Sequence, residues 1–166
     1  LNLLREVSMF PDKIAMFNSL KELGLENYVK VQAAALLLVR RGSVDVELDL
    51  KHYKLEAGSL FVVFPEQVVR AKNVSENFDP ICIACSKNMI DELIIRFDDT
   101  TRLILKIREN PLLQLNKFEF GQMRDSFEFL KKKFETTNMN SCRLQILKNH
   151  LIGLLYECIG MRSDPA

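Results

Sequence analysis

Between residues 43 and 50 the chain alternates strictly: Val44, Val46, Leu48 and Leu50 share one face, and Ser43, Asp45, Glu47 and Asp49 the other. A period of two marks an antiparallel strand with one face buried and one in water. Shorter runs of the same character surround it, at Tyr28 to Arg40, His52 to Leu55, Leu60 to Phe64, Val68 to Lys72 and Pro80 to Cys85. Gly42, Ala57-Gly58, Pro65 and the polar stretch Asn73 to Asn77 fall between them, which predicts turns there. Several short strands at close spacing make a sandwich or small barrel. Ahead of them, Pro11 to Leu23 predicts one short amphipathic helix. Pro11 suits a first helical position, Asp12 complements the N-terminal dipole, and Ile14, Phe17 and Leu20 recur at helical spacing before Gly24.

After Ser86 the alternation stops. Ser86 and Asn88 are N-cap residue types and Asp91 and Glu92 follow in the first turns, so the remainder reads as helical. Beyond the breaker Asn110-Pro111, Phe120, Met123, Phe127, Leu130 and Phe134 form an apolar seam at heptad spacing. A second seam runs through Leu144, Leu147, Leu151, Leu154, Cys158 and Met161. That last segment carries another row, Lys148, Ile152, Leu155 and Ile159, so its apolar surface is wider than one packing partner needs. The fold class is therefore mainly β plus α, with residues 1–86 as arm, short helix and barrel, and residues 87–166 as a helical segment packed on it in one structural domain.

A length of 166 residues, 48% of them hydrophobic and 27% charged, is enough for one real core and excludes a disordered chain. Charge adds an exclusion: 23 basic residues against 22 acidic, with neither half a polycation, disfavour a nucleic-acid surface within these residues. The longest uninterrupted apolar run, Ala33 to Val39, closes at Arg40 and Arg41, far short of a membrane span. The opening LNLLREVSMF lacks the layout of a signal peptide, and its first residue is Leu, which fits a piece of a longer protein. Four unevenly spaced cysteines, Cys82, Cys85, Cys142 and Cys158, make no disulfide framework and are expected as reduced thiols in the cytoplasm.

The inventory for catalysis is thin. His52 and His150 are the only histidines and neither has metal-ligand spacing. Cys82 and Cys85 are formally C-x-x-C, but in a strand residues three apart point to opposite faces, so the sulfurs diverge. Asp45, Glu47 and Asp49 offer three carboxylates to a hard cation, yet Cβ atoms two residues apart along a strand lie about 7 Å from each other, and a solvated face is the simpler account. Lys131 to Lys133 spread around their helix rather than forming a patch. No phosphate loop, nucleophile elbow or H-E-x-x-H is present, so neither enzyme nor cofactor is expected.

Val39 to Ser86, with Gly42 opening a hairpin, then Gly58-Ser59-Leu60, then an apolar run into Phe64-Pro65-Glu66-Gln67 and a long strand before a helix, resembles the sensor domain of AraC-type transcription regulators. The resemblance extends over Tyr28 to Arg162. It implies a cupin-like antiparallel β-barrel of jelly-roll type followed by a C-terminal helical pair that joins two copies, an unidentified small-molecule effector inside the barrel, and a downstream helix-turn-helix domain that reads DNA. Within it, Arg40, Phe64 and Arg70 are the candidate ligand-binding residues, and Leu144, Leu147, Leu151, Leu154 and Cys158 the candidate homodimer contact. The region after Gly42 lacks the paired histidines of metal-dependent cupins, and Val68-Val69 stands where sensor domains carry a histidine. A metal-dependent cupin enzyme is thus the weakest alternative. A cyclic-nucleotide-binding domain, whose phosphate cassette Phe64-Pro65-Glu66 and Arg70-Ala71 resemble, is the other, though Pro65 stands where that cassette needs Gly.

Overall fold

The computed structural model describes residues 14–94 and 100–162. They fold as two compact units, one up to Gln114 and one from Leu115.

The first unit is built from strands β1 (Ile14–Phe17), β2 (Val29–Lys30), β3 (Ala33–Arg41), β4 (Ser43–Leu48), β5 (Lys51–Glu56), β6 (Ser59–Val63), β7 (Val68–Lys72) and β8 (Asp79–Ser86), helices α1 (Lys87–Ile94) and α2 (Thr100–Glu109), and strand β9 (Leu112–Gln114). Two antiparallel sheets result, in the orders β1-β8-β3-β6-β9 and β2-β7-β4-β5. This is the mainly β plus α architecture expected. The core lies between the sheets: Ala33, Ala35, Leu37, Val39, Phe61, Val63, Cys82 and Ala84 from one meet Val44, Val46, Leu48, Leu55, Val69 and Ala71 from the other. Alternate residues of β3 and β8, among them Leu36, Leu38, Ile81 and Ile83, are buried as well. Helix α1 lies against β8 and β3, and α2 against β6. A strand covered on both faces needs the continuous apolar run that β3 has.

Three turns explain the punctuation. Gly42 has φ +78, and a Cβ there would lie 2.5 Å from the Phe78 Cα, so only glycine fits. Gly58 has φ 89 and donates its N–H to the Val39 carbonyl at 2.9 Å. In the Phe64-Pro65-Glu66-Gln67 turn the Gln67 side chain is buried; its Oε1 accepts from Phe64 N at 2.8 Å, and its Nε2 donates to Asp49 at 3.0 Å.

The N-terminal helix expected over Pro11 to Leu23 is corrected. Ile14–Phe17 is a strand paired with β8, Ile14 opposite Cys85 and Phe17 opposite Cys82, and only Lys21–Leu23 forms a single 3-10 turn before Gly24, whose φ is 62. Pro11 to Lys13 lie outside the described residues. Ladder pairing along an open sheet edge outweighs a short helical periodicity. Leu50 is corrected too. The β4–β5 hairpin turns through Asp49 and Leu50, both at positive φ, 49 and 69, as a two-residue primed turn, and Leu50 is 75% exposed instead of sharing the face of Val44 to Leu48.

The second unit contains α3 (Lys117–Thr136) and α4 (Arg143–Arg162). Asn116 starts α3 with a capping box: its side chain accepts from Glu119 N at 2.8 Å, and Glu119 accepts from Asn116 N at 2.9 Å. The two helices pack on each other through the seams read from the sequence, with Met123, Phe127 and Leu130 of α3 and Leu147, Leu151, Leu154 and Cys158 of α4 buried. Met123 and Cys158 sulfurs stand 3.9 Å apart, and Ser126 donates to Glu157 at 2.8 Å. No helix among the described residues is long and apolar enough to cross a membrane.

Candidate functional site

Inside the first unit lies a cavity of about 40 Å³. It is lined by Leu20, Leu23 and Leu25 from the segment between β1 and β2, Val31, Ala35 and Leu37 ahead of and within β3, Val46 of β4, Phe61 and Val63 of β6, Val69 and Ala71 of β7, and Cys82 of β8. These are the inward positions of strands from both sheets, so the barrel's own alternation makes the wall. On the same scale a single water needs about 10–15 Å³, together with polar partners to hold it, and this wall supplies none beyond a thiol. The Cys82 side chain, the most polar group on the wall, is fully enclosed, and burial pushes its thiol up to about 12. It neither ionises near neutral pH nor acts as a nucleophile.

Cys85 lies on the opposite face of β8, equally buried, its thiol also raised to about 12 by burial. The divergence of the C-x-x-C sulfurs holds, and the four cysteines are thiols, not disulfides.

The three residues proposed for ligand binding lie elsewhere and are not brought together. Arg40 ends β3 and donates to Asp79 at 2.8 Å, with Arg41 on the same carboxylate at 3.3 Å. Phe64 is buried at the end of β6, with the Arg108 guanidinium 4.9 Å from its ring centre. Arg70 donates to the Glu26 carbonyl at 3.3 Å and stacks 5.1 Å above the Tyr28 ring. None of them is among the residues that line the cavity. Sequence reasoning missed the actual lining. The signal available was the inward row of each strand, plus three leucines, Leu20, Leu23 and Leu25, that the expected helix had absorbed.

On the outer face of the four-stranded sheet the three acidic residues of β4 and its turn each have partners of their own. Asp45 accepts from Asn73 at 2.8 Å, and Asp49 from Val68 N at 2.9 Å as well as from Gln67. Glu47, only 7% exposed, accepts from the Tyr28 hydroxyl, with His52 Nδ1 at 3.5 Å and Lys72 Nζ at 3.8 Å. The Tyr28 bond, and after it the charges of His52, Lys72 and Arg70, outweigh desolvation and hold the Glu47 carboxyl below its ordinary range. Among the described residues no cluster has the makeup to hold a metal ion. His150 sits edge-on to Phe129 with ring centres 5.0 Å apart, while Lys131 lies 4.0 Å from Glu135 and Lys133 lies 5.6 Å from the centre of the Phe129 ring.

Of the five residues proposed for a contact between copies, Leu147, Leu151, Leu154 and Cys158 are already covered within the chain and Leu144 is half-buried. The second row, Lys148, Ile152, Leu155 and Ile159, is half-buried throughout.

No protein-family model and no characterised protein matches the chain by sequence. Solved structures do match it. ToxT K231A from Vibrio cholerae is similar at 12% identity and a TM-score of 0.52, over 89% of this chain and 55% of that one. The AraC-like transcriptional activator CuxR is similar at 10% identity and a TM-score of 0.49, over 86% and 48%. A ToxT structure with an unsaturated fatty acid bound is similar at 13% identity and a TM-score of 0.46, over 92% and 52%. The first likeness shows a shared fold, and an AraC-like regulator stands beside it among the neighbours. The chain spans about half the length of each of these proteins.

Proposed function

We propose that this chain is the effector-sensing part of a transcription regulator resembling the AraC type, and that its effector is an apolar molecule or the apolar portion of one. The cavity between the sheets, lined by carbon apart from one buried thiol, carries the reading. Specificity for a polar ligand needs buried donors and acceptors facing it, and the lining has none beyond a thiol; an alkyl chain asks only for dry space. The unsaturated fatty acid bound to ToxT belongs to the same chemical class. The module is non-enzymatic in this reading: the two histidines belong to different units, the β4 carboxylates are separately satisfied and the enclosed thiols are unreactive. DNA is read by a helix-turn-helix domain elsewhere in the full protein, and the ligand biases its placement only by its differential affinity for two arrangements.

The homodimer belongs to the same proposal, but through the second row of α4, because α3 fills the first. Ile152→Glu with Leu155→Glu reduces a dimer mass to that of a monomer in light scattering while helix content is retained; an unchanged dimer rejects the row. Calorimetry on the chain with 1-octanol, cyclic AMP and divalent metal separately tests the effector class. Saturable heat with the alcohol alone is expected. Binding of the nucleotide or of stoichiometric metal, with none of the alcohol, overturns the reading in favour of the cyclic-nucleotide or metal-cupin alternative.

A further inference from the structure

We propose that residues 18–28, between β1 and β2, are the gate of the cavity, latched from the outer face of the four-stranded sheet by Tyr28 on Glu47 and by Arg70; that the gate admits the effector rests on the cavity being the effector site. Most of the wall is strand, held in a ladder. Leu20, Leu23 and Leu25 come instead from a stretch outside both sheets, built on the 3-10 turn Lys21–Leu23, in which Leu23 N donates to the Leu20 carbonyl at 3.1 Å. Gly24 follows at φ 62, with nothing within 4 Å of where a Cβ would stand, so the backbone there turns without meeting a neighbour. A stretch without ladder bonds opens at lower cost than a paired strand, and this is where the wall can part.

The bonds that hold the stretch down gather at its last residues. Ala71 N donates to the Leu25 carbonyl at 2.7 Å, Arg70 Nε donates to the Glu26 carbonyl at 3.3 Å, and the Arg70 guanidinium stacks 5.1 Å above the Tyr28 ring. The Tyr28 hydroxyl donates to Glu47, a carboxylate with His52 of β5 opposite it on one side, Arg70 of β7 opposite it on the other, and Lys72 Nζ at 3.8 Å. Tyr28 is 51% exposed, so its ring does not fill the core, and what it contributes to the cavity is the placement of the leucines ahead of it. Strand β7 serves both sides of the arrangement: Val69 and Ala71 border the cavity, while Arg70 between them grips the segment from outside. Tyr28 and Arg70 are positioning residues, acting through Leu20, Leu23 and Leu25. Cys82 is on the wall that those leucines complete and reports its opening; Cys85, buried on the other face of β8 and not among the lining residues, is the reference.

Iodoacetamide labelling of the whole chain, read by mass spectrometry of the Cys82 and Cys85 peptides, tests the latch. In the wild type the two label together. In Tyr28→Phe, which gives up one hydrogen bond to a charged group, Cys82 labels ahead of Cys85 by about tenfold. Arg70→Met, which keeps the aliphatic stem and loses the bond to the Glu26 carbonyl, moves the ratio the same way. A merely structural Tyr28 would speed both cysteines equally; that result, or unchanged labelling of both in the two variants, overturns the proposal. Adding 1-octanol to Tyr28→Phe then separates the gate from the effector. Saturable slowing of Cys82 labelling supports both. A Cys82 lead that octanol leaves untouched keeps the gate and overturns the effector reading of the cavity.

Discussion

Leu23→Ala separates a cavity wall from an ordinary core site. Leu23 is 2% exposed, so truncation forfeits three carbons of burial at about 0.8 kcal/mol each, roughly 2.4 kcal/mol before any cavity term. Its side chain already borders empty space, so fewer neighbouring atoms lose contacts than at a close-packed site, and the total falls in the lower part of the usual range, about 2–3.5 kcal/mol. Leu38, fully buried in β3 but absent from the cavity wall, is the control, with an expected loss of about 3–5 kcal/mol for Leu38→Ala. Urea unfolding followed by circular dichroism gives both values. Repeated with 1-octanol at about a hundred times the wild-type Kd, the wild type and Leu38→Ala each gain about 2.7 kcal/mol by mass action, and Leu23→Ala, whose enlarged cavity binds the alcohol more tightly, gains more. Leu38→Ala regains no more than the wild type does. Equal recovery in both variants, or a larger loss at Leu23 than at Leu38, refutes the assignment of the cavity.

Gly42→Ala loses about 2–5 kcal/mol by the same measurement, from a left-handed residue with a Cβ pressed on the Phe78 backbone; a loss under about 1 kcal/mol contradicts the turn geometry. Because the Glu47 carboxyl is held below its ordinary range, its contribution to stability is present above the unfolded carboxylate pKa and is lost as pH falls through the lowered folded value. Tyr28→Phe removes the largest cause of that shift, so its destabilisation, measured by urea unfolding at neutral and acid pH, is present at neutrality and fades in acid; a deficit that grows in acid contradicts the assignment. Iodoacetamide labels the exposed Cys142 rapidly in the native protein, whereas Cys82 and Cys85 label only on unfolding; mass spectrometry of the peptides reads the order, and early labelling of Cys82 would mean an open barrel.

What the amino-acid order made legible was whatever has a period. Ser43 to Leu48 alternates because one face meets the core, and the α3 and α4 seams repeat because each helix fills the other. The failures have a common cause in distant pairing. Ile14–Phe17 is four apolar residues whose state is decided by β8, some seventy positions on, and nothing local distinguishes it from the start of a helix. Leu50 continues an alternation that the backbone abandons at Asp49, in a turn without the glycine or asparagine that usually signals one. Strand β9 is too short for any pattern. The cavity was hidden because its wall draws single residues from many elements, while arginines, more conspicuous in a list, serve on the outside.

The strand order also dictates when the molecule can assemble. Ala33 must find Ser86 and Val39 must find Pro80 before the five-stranded sheet exists, whereas α3 and α4 are neighbours along the chain joined by a short turn. Contacts that close large loops form late and local ones early. During synthesis the aliphatic ribbon of β3 therefore emerges from the ribosome with neither ladder neighbour, pairs first with β6, and waits, sticky on its open side, until β8 arrives. That interval, rather than the finished protein, is where aggregation is decided.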